Sequence, residues 1–304
     1  MESKTLGFLI IISLKISAWI YYYLPRILQK FCIKAVSLLF RLCRFRQQVI
    51  IDNLKRAFPG DSETIKQRRQ ALFQAAYWHW ASLVFEVLMV FGPMPRFIKK
   101  NVKILGLENY KKALSKNKGV FLLSSHVGNW EIMSGCAKNY DLNLMIVTKK
   151  LKPAWFHNAL EEKRKHLGVL CAYEPKTLKD VFRHLKSGGI VGFILDQYTG
   201  PPSNIRVPLF GIPVGTSAAF ATLVKRTQAE VLPVVNYRNI DGKFIIDLQS
   251  PLHWIEHQDL DHEIALNTAH YVSILEKHIL AHPEQWLWMH KRFKGDLSPL
   301  KKRT

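Results

Sequence analysis

A histidine stands five residues ahead of a glutamate where the sequence changes character. Gly119-Val-Phe-Leu-Leu-Ser reads as a buried strand. It runs into Ser124-Ser125-His126-Val127-Gly128-Asn129-Trp130-Glu131. An imidazole can take a proton from a hydroxyl, and a carboxylate beside it can fix its tautomer and stabilise its protonated form. On one continuous helix, side chains five apart diverge by about 140°. A strand-to-helix turn, loosened by Gly128, would let them converge. Asn129 would cap the helix, whose first amides would face an anion or a developing oxyanion. His-x4-Glu also recurs by chance, and a lone histidine after a strand is more often structural. Position gives this one weight, because open α/β sheets bind ligands at the carboxyl ends of their strands. Metal ligation by the same pair is conceivable, but no third ligand is near in sequence.

The elements around this segment alternate. Short apolar runs at 144–148, 169–172 and 190–195 read as strands, with helical stretches near 129–139, 154–167 and 176–187 between them. The pattern predicts β-α-β units: an α/β fold with a mostly parallel central sheet flanked by helices. A helix at 216–228 follows. Val231 to Tyr237 and Phe244 to Leu248 flank Asn239-Ile-Asp-Gly, a hairpin signal. A last helix at 259–281 stops at His282-Pro283. Upstream, Glu63 to Met89 carries apolar residues at helical spacing and ends before Gly92-Pro93.

Phe8 to Leu24 reads FLIIISLKISAWIYYYL, with Lys15 as its one charge and aromatics crowded at one end. This suits a helical membrane anchor, either spanning or lying in the surface plane. No small-residue cleavage site follows, which disfavours a removable signal. Arg41, Arg44 and Arg46 beyond the next apolar stretch favour retention on the cytoplasmic side. The expected layout is an anchor at 1–25, a helical membrane-proximal region at 26–100, an α/β core at 101–293 and a basic tail at 294–304.

Lys and Arg number 44 against 23 Asp and Glu, a net charge of +21 in 304 residues. That excess points to an anionic partner: nucleic acid, an acidic membrane surface or an acidic protein. Two basic groups stand out, Lys149 to Lys165 beside the histidine segment and Lys291, Arg292, Lys294 with Lys301-Lys302-Arg303 near the end. Neither a helix-turn-helix nor an RNP-like motif is present, so nucleic acid is not the expected partner. Four cysteines without metal-site spacing predict free thiols. A hydrophobic share of 48% excludes wholesale disorder. The G-x-S-x-G, Walker A, G-x-G-x-x-G and H-E-x-x-H motifs are absent.

His126-Val-Gly-Asn-Trp-Glu131 resembles the H-x4-(D/E) box of the glycerolipid acyltransferases, in the form of the lipid A late acyltransferases of Gram-negative bacteria. Further blocks fit the resemblance in order. They are Gln48 to Pro59, Asp196-Gln197 with Val207-Pro-Leu-Phe-Gly-Ile-Pro-Val-Gly-Thr216, Glu230-Val-Leu-Pro-Val, and Pro283-Glu-Gln-Trp-Leu-Trp-Met-His-Lys-Arg-Phe293. The segment before Val207, Thr-Gly-Pro-Pro-Ser-Asn-Ile-Arg, carries less glycine than the family's usual block.

The resemblance implies an enzyme of the bacterial inner membrane with its catalytic part on the cytoplasmic side. It would move a fatty acyl chain from the thioester of acyl carrier protein, or from acyl-CoA, to a hydroxyl of an anionic lipid A precursor. No cofactor and no covalent acyl-enzyme are implied. His126 would be the general base and Glu131 its orienting carboxylate. Arg164 would hold phosphate or the acyl donor, Asp196 would bind the acceptor or order its loop, and Gly128 and Asn129 fall with the substrate-binding residues. Other acceptors (a lysophospholipid, an ornithine lipid, a glycolipid) fit the same boxes, and a non-catalytic basic module at membrane or nucleic acid is the rival reading.

Overall fold

The computed structural model describes residues 2–173 and 177–295. The basic run Lys301-Lys302-Arg303 and most of the expected tail lie outside the described residues.

Four helices come first: α1 (Glu2–Tyr23), α2 (Arg26–Leu42), α3 (Gln47–Ala57) and α4 (Glu63–Leu88). Pro25 breaks the first pair, and Ser62 caps α4 by accepting from the Ile65 amide. The α/β part continues through α5 (Met94–Asn101), β1 (Val102–Leu105), α6 (Leu107–Leu114), β2 (Val120–Ser124), α7 (Trp130–Gly135), β3 (Leu144–Val147), α8 (Ala154–His166) and β4 (Val169–Ala172). Then come α9 (Thr177–Lys186), β5 (Ile190–Ile194), β6 (Asn204–Leu209), β7 (Ile212–Ser217), α10 (Ala219–Thr227), β8 (Glu230–Arg238), β9 (Phe244–Leu248) and α11 (Leu260–Ala281).

Seven strands form one sheet in the order β1-β9-β8-β2-β5-β3-β4, parallel throughout except for the β8–β9 hairpin. The expected α/β fold is therefore present. β2 sits in the middle with every residue buried, which explains its unbroken apolar run. One face of the sheet packs on α5, α6 and α7 through Leu122, Leu144, Ile190 and Val234. The other packs on α9, α10 and α11 through Phe121, Leu123, Val191, Phe220 and Tyr271.

Two departures from the expected elements matter. Val207 to Thr216, to which the sequence assigned no strand, lies in the separate hairpin β6–β7, whose Val207 and Leu209 pack with Ile50, Leu54, Trp286 and Trp288. The helix expected over 129–139 ends after six residues at Gly135, with a short 3-10 turn at Lys138–Tyr140.

Candidate active site

The sheet register builds the site. Ser124 on β2 pairs with Ile194 on β5, so two residues further on, His126 and Asp196 leave neighbouring parallel strands at the same level. Their side chains meet: His126 Nδ1 lies 2.7 Å from Asp196 Oδ1, and the His126 amide donates to Oδ2 at 2.8 Å. The Trp286 indole also donates to Oδ2 at 2.7 Å. Asp196 is buried, which by itself would raise its pKa. The His126 charge and the three hydrogen bonds outweigh burial and hold it at about 2. An ionised carboxylate on Nδ1 favours the proton there and makes Nε2 the acceptor of the ring. Nε2 lies at the more open edge of the ring, where the exposed Gln197 side-chain amide sits 3.2 Å away.

This corrects the expected pairing. Glu131 does not meet the imidazole; both of its oxygens face Arg164, Oε2 at 3.2 Å and Oε1 closer still. The helix turns Glu131 toward α8, and the His126 ring nitrogens are occupied by Asp196 and Gln197. Arg164 is almost wholly buried in that pair, with its pKa raised by the Glu131 charge against the opposing effect of burial. Arg164, expected to hold phosphate or the acyl donor, is thus engaged by Glu131 and nearly closed off from solvent. Asp196, expected to bind the acceptor or order its loop, touches His126.

Gly128 and Asn129, grouped with the substrate-binding residues, are buried and build the turn. Gly128 has φ +67, and a Cβ there would stand 2.0 Å from the Asn236 carbonyl oxygen. Asn129 does cap α7, but its Oδ1 accepts from the Glu131 and Ile132 amides. Those amides are therefore not free for an oxyanion. The Asn129 Nδ2 donates to Glu86 Oε2 at 2.9 Å, and Glu86 is gripped by Arg238 at 2.5 and 2.8 Å. Arg238 exchanges two main-chain hydrogen bonds with the Gln285 side chain, and the Gln285 carbonyl accepts from the Gly128 amide at 3.0 Å. His79 accepts from Arg238 and is held neutral by burial and the Arg238 charge. The sequence reading missed Glu86 and Arg238; an acidic residue inside an apolar helical stretch was the available signal.

Arg292, expected in a surface basic group, is fully buried. It donates to the carbonyls of Gln197 at 2.8 Å and Gly215 at 2.6 Å, and so clamps the chain just after Asp196. Burial lowers its pKa to about 10, with Asp196 opposing. Lys149, Lys150 and Lys152 are exposed on the loop that leaves the carboxyl end of β3, the same end of the sheet as His126.

Two cavities frame the sheet. A narrow apolar one, about 50 Å³, runs between the sheet and α6–α7 beside Leu122, Met133, Cys136, Leu144, Gly192 and Val234. Met133 Sδ reaches to 3.8 Å from Ser124 Oγ, two residues short of the histidine. A wider opening of about 380 Å³ lies where β2 and β8 begin, among Lys112, Lys116, Glu230 and Trp254. It is at the wrong end of the sheet to serve His126.

The fold is α/β, and the comparisons make the chain an acyltransferase. More narrowly, residues 3–295 match the family model of the bacterial lipid A biosynthesis acyltransferases, and the chain belongs to that family. It is 24% identical over 261 residues to the lipid A biosynthesis lauroyltransferase of Escherichia coli K12, covering 85% of this chain and 82% of that protein. The lipid A biosynthesis palmitoleoyltransferase of the same organism is 25% identical over 254 residues, 82% of this chain and 79% of its own length. A Haemophilus influenzae lipid A biosynthesis acyltransferase matches over 124 residues at 26%.

Proposed function

We propose that this acyltransferase moves a fatty acyl chain from the thioester of acyl carrier protein to a hydroxyl of a lipid A precursor, with His126 as general base and Asp196 as the carboxylate that orients it. His126 Nε2 takes the acceptor's hydroxyl proton as the oxygen attacks the thioester carbonyl. The tetrahedral intermediate then expels the thiolate, which takes the proton back from the imidazolium. An ester and a free thiol result, and no acyl-enzyme forms. The two hydroxyls before the histidine fit this, since Ser124 donates to the Val234 carbonyl at 2.9 Å and the buried Ser125 hydroxyl makes no hydrogen bond to the imidazole. The apolar cavity beside Met133 has the lining an acyl chain needs, and at about 50 Å³ it would have to widen to take one. The exposed lysines at 149, 150 and 152 suit an acidic carrier protein or the acceptor's phosphates.

The observation that carries the reading is the 2.7 Å hydrogen bond between His126 Nδ1 and Asp196, which orients the imidazole with Nε2 at the exposed edge. The test is acyl transfer by purified His126→Ala, with acyl carrier protein and coenzyme A thioesters offered in turn. Loss by at least ~100-fold, the usual scale for general-base catalysis, with an unchanged melting curve is expected. Activity near the native level would end the proposal.

A further inference from the structure

The apolar helix α1 is long enough to cross a bilayer: Leu6–Tyr23 has a mean hydropathy of 1.5. Its surroundings argue for a different placement. Gly7, Ile11, Leu14, Ala18 and Tyr21 fall on one face at intervals of three and four. That face is docked on the protein along the helix. Gly7 lies against Trp155 at the start of α8, where a Cβ would come within 2.9 Å of the indole. Ala18 meets Gly92 closely enough that only glycine fits opposite it. Tyr21 stacks on Phe85 of α4 at 4.6 Å, and Arg96 of α5 lies over Trp19 at 5.6 Å. The opposite face is exposed and apolar: Leu9, Ile16, Ile20 and Tyr23. Lys15 is exposed beside Trp19 and Phe8, at the border of the two faces, where its stem can reach head groups.

From Gly7 to Tyr21 the docked stripe runs about 21 Å at 1.5 Å per residue. A helix standing through the membrane would draw its docked neighbours into the hydrocarbon with it. Those neighbours carry exposed charge: Glu162 and Lys165 on α8, Lys150 and Lys152 before it, Arg96, Lys99 and Lys100 on α5. Charges at that depth are costly unless they are paired or line a watery cavity.

The next helix makes the same point by its sectors. On α2, Ile27, Phe31, Leu38 and Leu42 form one exposed stripe, with Leu28 and Leu39 widening it. Lys30, Lys34 and Arg41 form an exposed basic row along one edge. Gln29, Ile33, Val36, Ser37 and Phe40 face the protein. Gln29 also locks the corner between the helices, donating to the carbonyls of Tyr21 at 2.9 Å and Leu24 at 3.1 Å. An apolar stripe edged by cations is the pattern of a helix lying in a membrane interface.

We infer that α1 and α2 form a monotopic plate on the anionic leaflet of a bilayer, both helices in the membrane plane and neither crossing it. The inference rests on the lipid-acceptor reading above, and it fixes the side of the amino terminus. A spanning α1 puts residue 2 across the membrane from the catalytic residues; an in-plane α1 keeps both on one side. The test uses the full chain with protease-cleavable tags at both ends, in sealed inverted inner-membrane vesicles. Both tags should be cut without detergent. An amino-terminal tag protected until detergent is added, beside a carboxyl-terminal tag that is cut freely, overturns the plate. A second arm measures flotation with phosphatidylethanolamine–phosphatidylglycerol vesicles. Phe31→Asp with Leu38→Asp should weaken binding by about ten-fold or more and leave transfer to detergent-dispersed acceptor unchanged. Native binding by that variant, or a wild-type chain that does not float, also overturns the plate. Loss of transfer in detergent by a wild-type protein that floats strikes instead at the acyltransfer reading.

Discussion

Asp196→Asn isolates the proposed catalytic pairing, because the hydrogen bonds around the carboxylate dictate how the amide must sit. Oδ2 accepts from two fixed donors, the His126 amide at 2.8 Å and the Trp286 indole at 2.7 Å. The carbonyl oxygen of an asparagine must take that place. Its NH2 is then forced to the Oδ1 position, 2.7 Å from Nδ1, and donates to it. The imidazole answers by moving its proton to Nε2, the atom that must receive the acceptor's proton. The substitution therefore removes the base as well as the charge that stabilises an imidazolium. In a serine-protease triad the same exchange lowers kcat by about 10⁴, through the wrong tautomer. General-base catalysis as a whole contributes about 10² to 10⁴. For Asp196→Asn a fall in kcat of about 10³ to 10⁴ is expected, roughly 4 to 5.5 kcal/mol of barrier, with little change in KM. Mass-spectrometric detection of the acylated product in mixed micelles gives both constants. A kcat within about ten-fold of wild type, at the margin of the general-base range, would refute the tautomer argument.

Glu131→Ala should fail differently: it leaves Arg164 buried without a partner, so the protein loses roughly 3–5 kcal/mol, read as a lower melting temperature. If Glu131→Ala melts normally but loses turnover as deeply as Asp196→Asn, the structural role assigned to that ion pair is wrong. Asp196 also gives stability a pH dependence. Its folded pKa of about 2 lies below the ordinary 3.8, so about 2 kcal/mol is fully present above pH ~4 and is lost as pH falls through about 2. The stability gap between wild type and Asp196→Asn should shrink over that window in denaturant titrations; a constant gap contradicts it. Gly192→Val narrows the apolar cavity at a point where a Cβ meets nothing nearer than 3.5 Å. It should shift preference toward shorter acyl thioesters in competition assays, and an unchanged product distribution would place the acyl chain elsewhere. Glu86→Gln weakens the grip on Arg238 and Asn129 and should cost roughly 2–3 kcal/mol in thermal unfolding, a loss that does not occur if the cluster is only surface decoration.

The parallel strands were legible because burial on both faces turns each into a short, continuous apolar run, as in Val120 to Leu123 and Ile190 to Ile194. The β8–β9 hairpin announced itself through Asn239 to Gly242. β1 did not, because Lys103 and Leu105 are exposed on an edge strand and Val-Lys-Ile-Leu carries no distinctive run. The β6–β7 hairpin hid behind Pro208 and Pro213, which a two-stranded ribbon tolerates and a central strand does not. His126 could be singled out by its place after a strand. Its carboxylate could not, because that depends on β5 lying next to β2, and strand order across a crossover is not written in local periodicity.

Two acidic residues competed for one imidazole, and spacing along the chain favoured the wrong one. Glu131 is near in sequence, yet once Gly128 turns the backbone and Asn129 caps α7, the first helical turn carries its side chain away toward Arg164. What the five-residue interval encodes here is the turn itself. The same turn is held from behind by Glu86 on Asn129 and by Gln285 on the Gly128 amide, so it is anchored to α4 and to the segment after α11 at once. Trp286, the neighbour of Gln285, then reaches Asp196. The imidazole, its carboxylate and the helix cap are thus fixed by one connected set of hydrogen bonds. That set needs the long-range closure of the fold, and a carboxylate held at about pKa 2 by neighbours 70 and 90 residues away is its chemical consequence.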